Sequence, residues 1–294
     1  MKKILSFFAF SAFVLSLSAQ KPLATFTVPP GKMVAPVEVT FTSEAKKPVD
    51  SYQWDFGDGA TSTEANPVHR YTQSGNHLVS LTTKKGSKTT TVKQMIQVTA
   101  PERCLVEIET EFGTMTVELS NATPKHRDNF IKLAEEGYYN DLLFHRVINS
   151  FMIQGGDPDS RNAPAGKMLG MGGPNYQVPA ELVDSMVHIK GALAAARTNN
   201  PERKSSGSQF YLVQGGPVTD GLLNQIESMR NFHYTPEQRE AYLKLGGTPH
   251  LDHEYTVYGY VVKGLDVIDK IAAVETAPGD RPKKDVKMKM KVIK

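Results

Sequence analysis

Between residues 23 and 99 apolar side chains recur at every second position and not at helical spacing, a pattern suited to strands alone. Val37, Val39 and Phe41 alternate with polar residues, as do Tyr52, Trp54 and Phe56, and then Val79 and Leu81. Turn clusters separate these runs at Pro29-Pro30-Gly31, Gly57-Asp58-Gly59, Ser74-Gly75-Asn76 and Lys85-Gly86-Ser87. Short strands punctuated in this way predict a small β-sandwich. The pattern stops at Ala100-Pro101-Glu102, which reads as a very short linker, and mixed helix and strand signals begin at Cys104. A length of 294 residues accommodates two domains.

Composition narrows the classes. With 39% apolar and 22% charged residues, the chain is neither disordered nor a polytopic membrane protein. The formal charge is +3, and no basic stripe with interleaved aromatics accompanies it, so no nucleic-acid partner is expected. The single cysteine, Cys104, can form neither an internal disulfide nor a thiolate metal site by itself. Met1-Lys2-Lys3, an apolar run over residues 4–17 and the small pair Ser18-Ala19 have the layout of a secretory signal peptide of residues 1–19. The run is shorter than the ~20 residues a membrane span requires. The expected product is exported to the periplasm, cell envelope or exterior, with no membrane span once the signal is removed.

The first domain, residues 22–100, carries a recognisable motif set. Trp54-Asp55-Phe56-Gly57-Asp58-Gly59, Asn66-Pro67-Val68-His69-Arg70-Tyr71 and Gly75 together resemble the PKD domain, an immunoglobulin-like module of extracellular proteins. The resemblance implies an immunoglobulin-like β-sandwich and a protein or glycan ligand. The residues agree with it: Trp54 suits a core and the paired glycines suit a tight turn. Asp55 and Asp58 offer too few oxygens for calcium, so turn formation is their expected role. Asp55-Phe56-Gly57 matches a kinase triplet, but no phosphate loop or catalytic-loop aspartate goes with it.

From residue 104 to 294 strands are expected over residues 105–110, 114–119, 143–148, 151–154, 191–196, 209–213 and 256–261, with a last strand through Val286, Met288, Met290 and Val292. Lys287, Lys289 and Lys291 alternate with those four and read as its solvated face. One helix starts at an N-cap Thr123 with Pro124 in its first turn, buries Phe130, Leu133 and Ala134, and stops before Gly137. A short helix is expected at residues 265–272.

Three blocks carry the chemistry: Phe144-His145-Arg146-Val147-Ile148 running on through Phe151-Met152-Ile153-Gln154-Gly155-Gly156-Asp157, then Ser206-Gly207-Ser208-Gln209-Phe210-Tyr211, then His250-Leu251-Asp252-His253-Glu254-Tyr255 with Thr256-Val257-Tyr258-Gly259. In this order they resemble the cyclophilins, a family of peptidyl-prolyl cis-trans isomerases, over the whole segment after the linker. That resemblance implies a closed eight-stranded antiparallel β-barrel with two capping helices and a substrate groove on its outer face. It implies Arg146 and Gln154 as the catalytic pair. It places Phe151, Met152, Tyr211 and Leu251 in the proline pocket, Ala196 and Arg197 along the peptide path, and Tyr255 where many members carry histidine. The implied partners are proline-containing peptides and unfolded or exported proteins, with no cofactor and no metal.

Alone, an arginine on a strand would be a surface ion-pair residue, and Phe151, Met152 and Tyr211 would be core; their company changes the reading. His145 reads as structural because the adjacent arginine faces the other way. His250 and His253 lack a third ligand for a metal. Gly170-Met171-Gly172-Gly173 is followed by Pro174 and no helix, unlike a phosphate loop. Two departures from the family pattern stand out. His250 occupies a position where many members carry a tryptophan that helps bind cyclosporin. Residues 215–249 form an insertion beside the groove, with a capping box at Thr235-Pro236-Glu237-Gln238 opening a helix that ends at Gly246-Gly247, and a second short helix at residues 221–229.

Overall fold

The computed structural model describes residues 14–15, 21–230 and 232–293. The expected signal peptide, residues 1–19, lies outside the described residues apart from Val14 and Leu15. The chain divides into two compact units, Met1–Pro101 and Glu102–Lys294.

Among its described residues the first unit is built of strands only. Its elements are β1 (Val14–Leu15), β2 (Ala24–Thr27), β3 (Met33–Val34), β4 (Val37–Thr40) and β5 (Thr42–Ala45). They continue as β6 (Ser51–Asp55), β7 (Thr61–Ser62), β8 (Val68–Tyr71), β9 (Gly75–Lys85) and β10 (Lys88–Thr99). One sheet runs β1-β10-β9-β6-β7 with β3 alongside β10, while β2–β5 and β4–β8 are separate two-stranded ladders. This differs from the expected immunoglobulin-like sandwich, in which two continuous sheets face each other. Pro36 and Pro67 immediately precede β4 and β8 and donate no ladder hydrogen bond, and the chain changes partner strand at Phe41, whose amide donates to the Pro67 carbonyl at 2.9 Å. The core follows the alternation read from the sequence, with Val39, Phe41, Trp54, Phe56, Val79 and Leu81 buried. Trp54 meets Phe26 edge-on at 5.2 Å and donates from Nε1 to the Glu64 carbonyl at 2.8 Å. Asp55 and Asp58 serve as turn formers, their carboxylates accepting from the Gly57 and Ala60 amides. Gly57 has φ +79, and a Cβ there would lie 2.7 Å from the Leu78 nitrogen.

The second unit opens with the hairpin β11 (Cys104–Thr110) and β12 (Gly113–Leu119), followed by α1 (Pro124–Glu135). Then come β13 (Arg146–Ile148), β14 (Met152–Gly155), β15 (Gln177–Val178), β16 (Ala192–Ala195), β17 (Ser205–Ser206) and β18 (Phe210–Val213). The insertion supplies α2 (Asp220–Arg230) and α3 (Pro236–Leu245); β19 (Val257–Lys263), α4 (Leu265–Ala272) and β20 (Lys289–Ile293) complete the unit. Eight strands form one antiparallel sheet in the order β13-β14-β18-β16-β19-β12-β11-β20.

The expected closed barrel is therefore corrected to an open half-barrel, because the edge strands β13 and β20 do not pair. Both are shorter than the sequence suggested. Ahead of them the chain meets only at a Leu143–Lys287 bridge and a few backbone bonds, such as Phe144 N to Val286 O at 2.9 Å. Residues 136–141 form turns, with Asp141 at φ +64, outside the extended range of a regular strand.

Alternation along these strands makes two apolar layers. Ile153, Leu193, Ala195, Phe210 and Leu212 point to the inner core with α1 and α4, while Met152, Ala192, Ala194, Tyr211 and Val213 form a second cluster on the opposite face. On β20, Lys289 and Lys291 stand opposite Glu109 and Glu107 across the ladder. The N-terminus of α1 differs in detail from expectation. Thr123 occupies the N-cap position but makes no side-chain cap; the Glu181 carboxylate accepts from the Lys125 and His126 amides instead, each at 3.0 Å. In the insertion the capping box between Thr235 and Gln238 is complete, and α3 stops at Gly246.

Candidate functional site

Val147 turns inward on β13, so its neighbour Arg146 projects outward, 44% exposed. The β13–β14 register sets Arg146 directly across from Gln154, and β14–β18 pairing sets Gln154 across from Tyr211. The Gln154 amide donates to Gln209 Oε1 at 3.0 Å, and Gln209 in turn donates to the carbonyls of Gly170 and Gly172. Gln154 is thereby held beside the arginine by a chain of hydrogen bonds rooted in the glycine loop. The glycines of that loop permit close packing rather than phosphate binding: the Gly170 amide donates to the Asp157 carboxylate, and a Cβ on Gly172 would collide with the same group.

Beside this polar pair lies the outer apolar cluster. Met152 and Tyr211 are buried in it, and Phe151, Ala196, Leu251 and Tyr255 pack partly buried around them. Tyr255 stands edge-on to Tyr211, ring centroids 6.0 Å apart, and the Arg197 guanidinium lies over the Tyr255 ring at 4.6 Å. Arg197 is also held by the Glu254 carbonyl at 3.0 Å. All nine residues singled out from the sequence, namely Arg146, Phe151, Met152, Gln154, Ala196, Arg197, Tyr211, Leu251 and Tyr255, line one cavity of about 710 Å³. His250 stacks on Phe151 at the rim, with centroids 5.9 Å apart; burial, and then the neighbouring His188, lowers its pKa.

Tertiary structure adds residues that sequence reading did not single out. Asp280 approaches the Arg146 Nε at 3.4 Å from a turn 134 residues away. Residues 165–170 and 277–279 form another wall of the cavity. Gly279-Asp280 is a turn signal in the sequence, but nothing in it points to Arg146. His145 reaches the deep side of the cavity, buried as expected, although neither ring nitrogen has a hydrogen-bond partner among the described residues. Behind Tyr211, its hydroxyl meets His188 Nε2 at 3.0 Å, and His188 Nδ1 meets the buried Asp252 carboxylate at 2.7 Å. Among the described residues no group of three histidine, cysteine or acidic side chains is placed to hold a metal ion, and no helix is long and apolar enough to cross a membrane.

An exposed, multi-donor cation beside an apolar pocket can seat a small ring and offer a hydrogen bond to an atom at its edge. The sequence is similar to known families and proteins. The family model for cyclophilin-type peptidyl-prolyl cis-trans isomerases matches residues 105–292, and that for the PKD domain matches residues 20–100. A Staphylococcus saprophyticus protein provisionally named a peptidyl-prolyl cis-trans isomerase is 37% identical over 183 residues, covering 61% of this chain and 86% of its own length. A Streptococcus pyogenes protein provisionally named a bifunctional phosphatase/peptidyl-prolyl cis-trans isomerase is 40% identical over 187 residues, which is 62% of this chain but only 37% of that relative. The crystal structure of a Cryptosporidium parvum cyclophilin-type isomerase aligns with 65% of this chain and 98% of its own, at 22% identity and a TM-score of 0.48.

Proposed function

The chain belongs to the cyclophilin-type peptidyl-prolyl cis-trans isomerase family, and on that premise we propose that residues 104–294 isomerise X-Pro bonds with Arg146 as the stabilising donor. The observation that carries this reading is the convergence of Arg146, Gln154 and the apolar cluster on one cavity. Rotation about a peptide bond faces a barrier of ~18–20 kcal/mol because the nitrogen lone pair is conjugated with the carbonyl. In the twisted transition state that conjugation is lost, and the prolyl nitrogen becomes a better hydrogen-bond acceptor. A guanidinium held at that nitrogen stabilises the twisted state more than either planar isomer, which is the requirement for catalysis. Phe151, Met152, Tyr211 and Leu251 would anchor the ring and exclude water, strengthening the contact. Gln154, fastened by Gln209, and Asp280 would limit the directions the guanidinium can take. No covalent step is needed.

In this reading the protein is exported through residues 1–19 and assists the folding of exported chains. The PKD domain supplies docking to a protein or glycan. An isomerisation assay on a proline peptide with the full chain tests the activity. Arg146→Ala should lower kcat/KM on the order of a hundredfold while leaving the fold intact, since the side chain faces the cavity and not the core. Arg146→Lys should recover little, because an ammonium lacks the planar multi-donor geometry. Wild-type rates in Arg146→Ala would refute the mechanism.

A further inference from the structure

The insertion touches the pocket through a buried polar relay. Asp252 is fully buried and faces four donors. Oδ1 accepts from the His188 amide at 2.8 Å and from His188 Nδ1 at 2.7 Å. Oδ2 accepts from the hydroxyls of Tyr234 at 2.8 Å and Tyr242 at 2.6 Å. Both tyrosines come from the insertion, Tyr242 from within α3 and Tyr234 from just before it. A carboxylate with four donors has every near lone pair occupied, so its burial leaves no orphaned acceptor. Facing an acceptor-only group, His188 Nδ1 must carry hydrogen. In the neutral ring Nε2 is then the acceptor, and the Tyr211 hydroxyl donates to it at 3.0 Å.

The backbone fixes the same place. Thr248, at the exit of the insertion, donates to the His188 carbonyl at 2.8 Å, and Lys190 donates to the Gly246 carbonyl at 3.0 Å. A Cβ on Gly247 would lie 2.3 Å from the His188 oxygen, so the chain approaches there as closely as only glycine allows. His188 is thus clamped between the insertion and the pocket. The Tyr211 ring forms a cavity wall, and His188 is the partner its hydroxyl has there. Without that partner the buried hydroxyl would carry an uncompensated desolvation penalty, and the ring would be drawn toward other acceptors.

We propose that Tyr234 and Tyr242 are positioning residues for the proline pocket: through Asp252 and His188 they hold the Tyr211 ring in place, so the insertion sets how tightly a prolyl ring is gripped. This rests on the isomerase reading above. Tyr242→Phe deletes one hydroxyl and keeps the ring in its core. It should raise KM for a proline peptide by roughly threefold to tenfold with kcat within about twofold, the pattern of lost uniform binding. Tyr234→Phe removes the other donor to the same oxygen, should act in the same direction, and serves if Tyr242→Phe fails to fold.

Two comparisons separate positioning from general loosening. Tyr211→Phe combined with Tyr242→Phe should be no worse than Tyr211→Phe alone, because both act through one ring; additive losses would overturn the relay. Gln238→Ala removes the capping box of α3 and the bond to the Asp184 carbonyl, neither of which involves Asp252, His188 or Tyr211, and should lower thermal stability while leaving KM within about twofold. An equal rise in KM there would also overturn it. If the wild-type chain shows no turnover, the proposed function itself fails. An active wild type whose KM is unmoved by both tyrosine variants would sink the relay alone.

Discussion

Acid should weaken the second unit through His145. Its ring is 4% exposed, and neither nitrogen finds a partner among the described residues. Burial dominates its titration and outweighs Asp157 and a long contact with the Leu143 backbone, both of which favour the proton; Arg146 and Arg281 push the same way as burial, and the pKa falls from 6.5 to about 4. Well above pH 6.5 neither the folded nor the unfolded chain binds a proton there, so the site is silent. Below pH 6.5 the unfolded chain takes up the proton and the folded chain refuses it until about pH 4. Stability must therefore decline as pH falls through that window. At about 1.4 kcal/mol per pH unit, the full difference comes to about 3 kcal/mol. His145→Met removes the titrating group and two unpartnered nitrogens while keeping a flexible apolar side chain in the site. The assay is urea unfolding followed by helical circular dichroism, which among the described residues reports only the second unit, where all four α-helices lie. Wild type should lose about 3 kcal/mol more than His145→Met between pH 6.5 and 4. Parallel losses in the two proteins would show that His145 is hydrated or already paired, and would refute the reasoning.

Trp54, the single tryptophan, is buried in the core of the first unit, so its emission should follow unfolding of that unit alone. Helical circular dichroism and isomerase activity should follow the other, with two transitions resolved in urea. Coincident midpoints for all three signals would contradict independent units. His250 stacks on Phe151 at the cavity rim; replacing it with tryptophan should strengthen inhibition by cyclosporin by about tenfold through added apolar contact, with little change in turnover. Nanomolar inhibition of the unaltered chain would show that His250 does not limit that contact.

What could be read from the sequence is what short-range pattern controls. The period-two runs of Val37–Thr40 and Ser51–Asp55, the apolar face of α1 and the capping box at Thr235 each involve residues a few positions apart, and each appears in the structure as expected. The three motif blocks were legible through their resemblance to the cyclophilins; the β13–β14–β18 register then aligns Arg146, Gln154 and Tyr211, whereas Leu251 and Tyr255 reach the cavity from outside those strands. Tertiary structure decided everything that joins distant segments. The expected strand over residues 143–148 is shortened to β13, and just ahead of it Asp141 adopts a left-handed φ that aspartate takes more readily than most residues but that the local pattern did not announce. The cap of α1 came from Glu181 rather than Thr123, since an orphaned amide takes whichever acceptor the fold delivers. The same holds for Asp280 beside Arg146 and for the chain from Tyr242 through Asp252 and His188 to Tyr211. A hydrogen bond depends on distance and direction in space, and neither is encoded in the spacing of residues that meet only after the chain has folded.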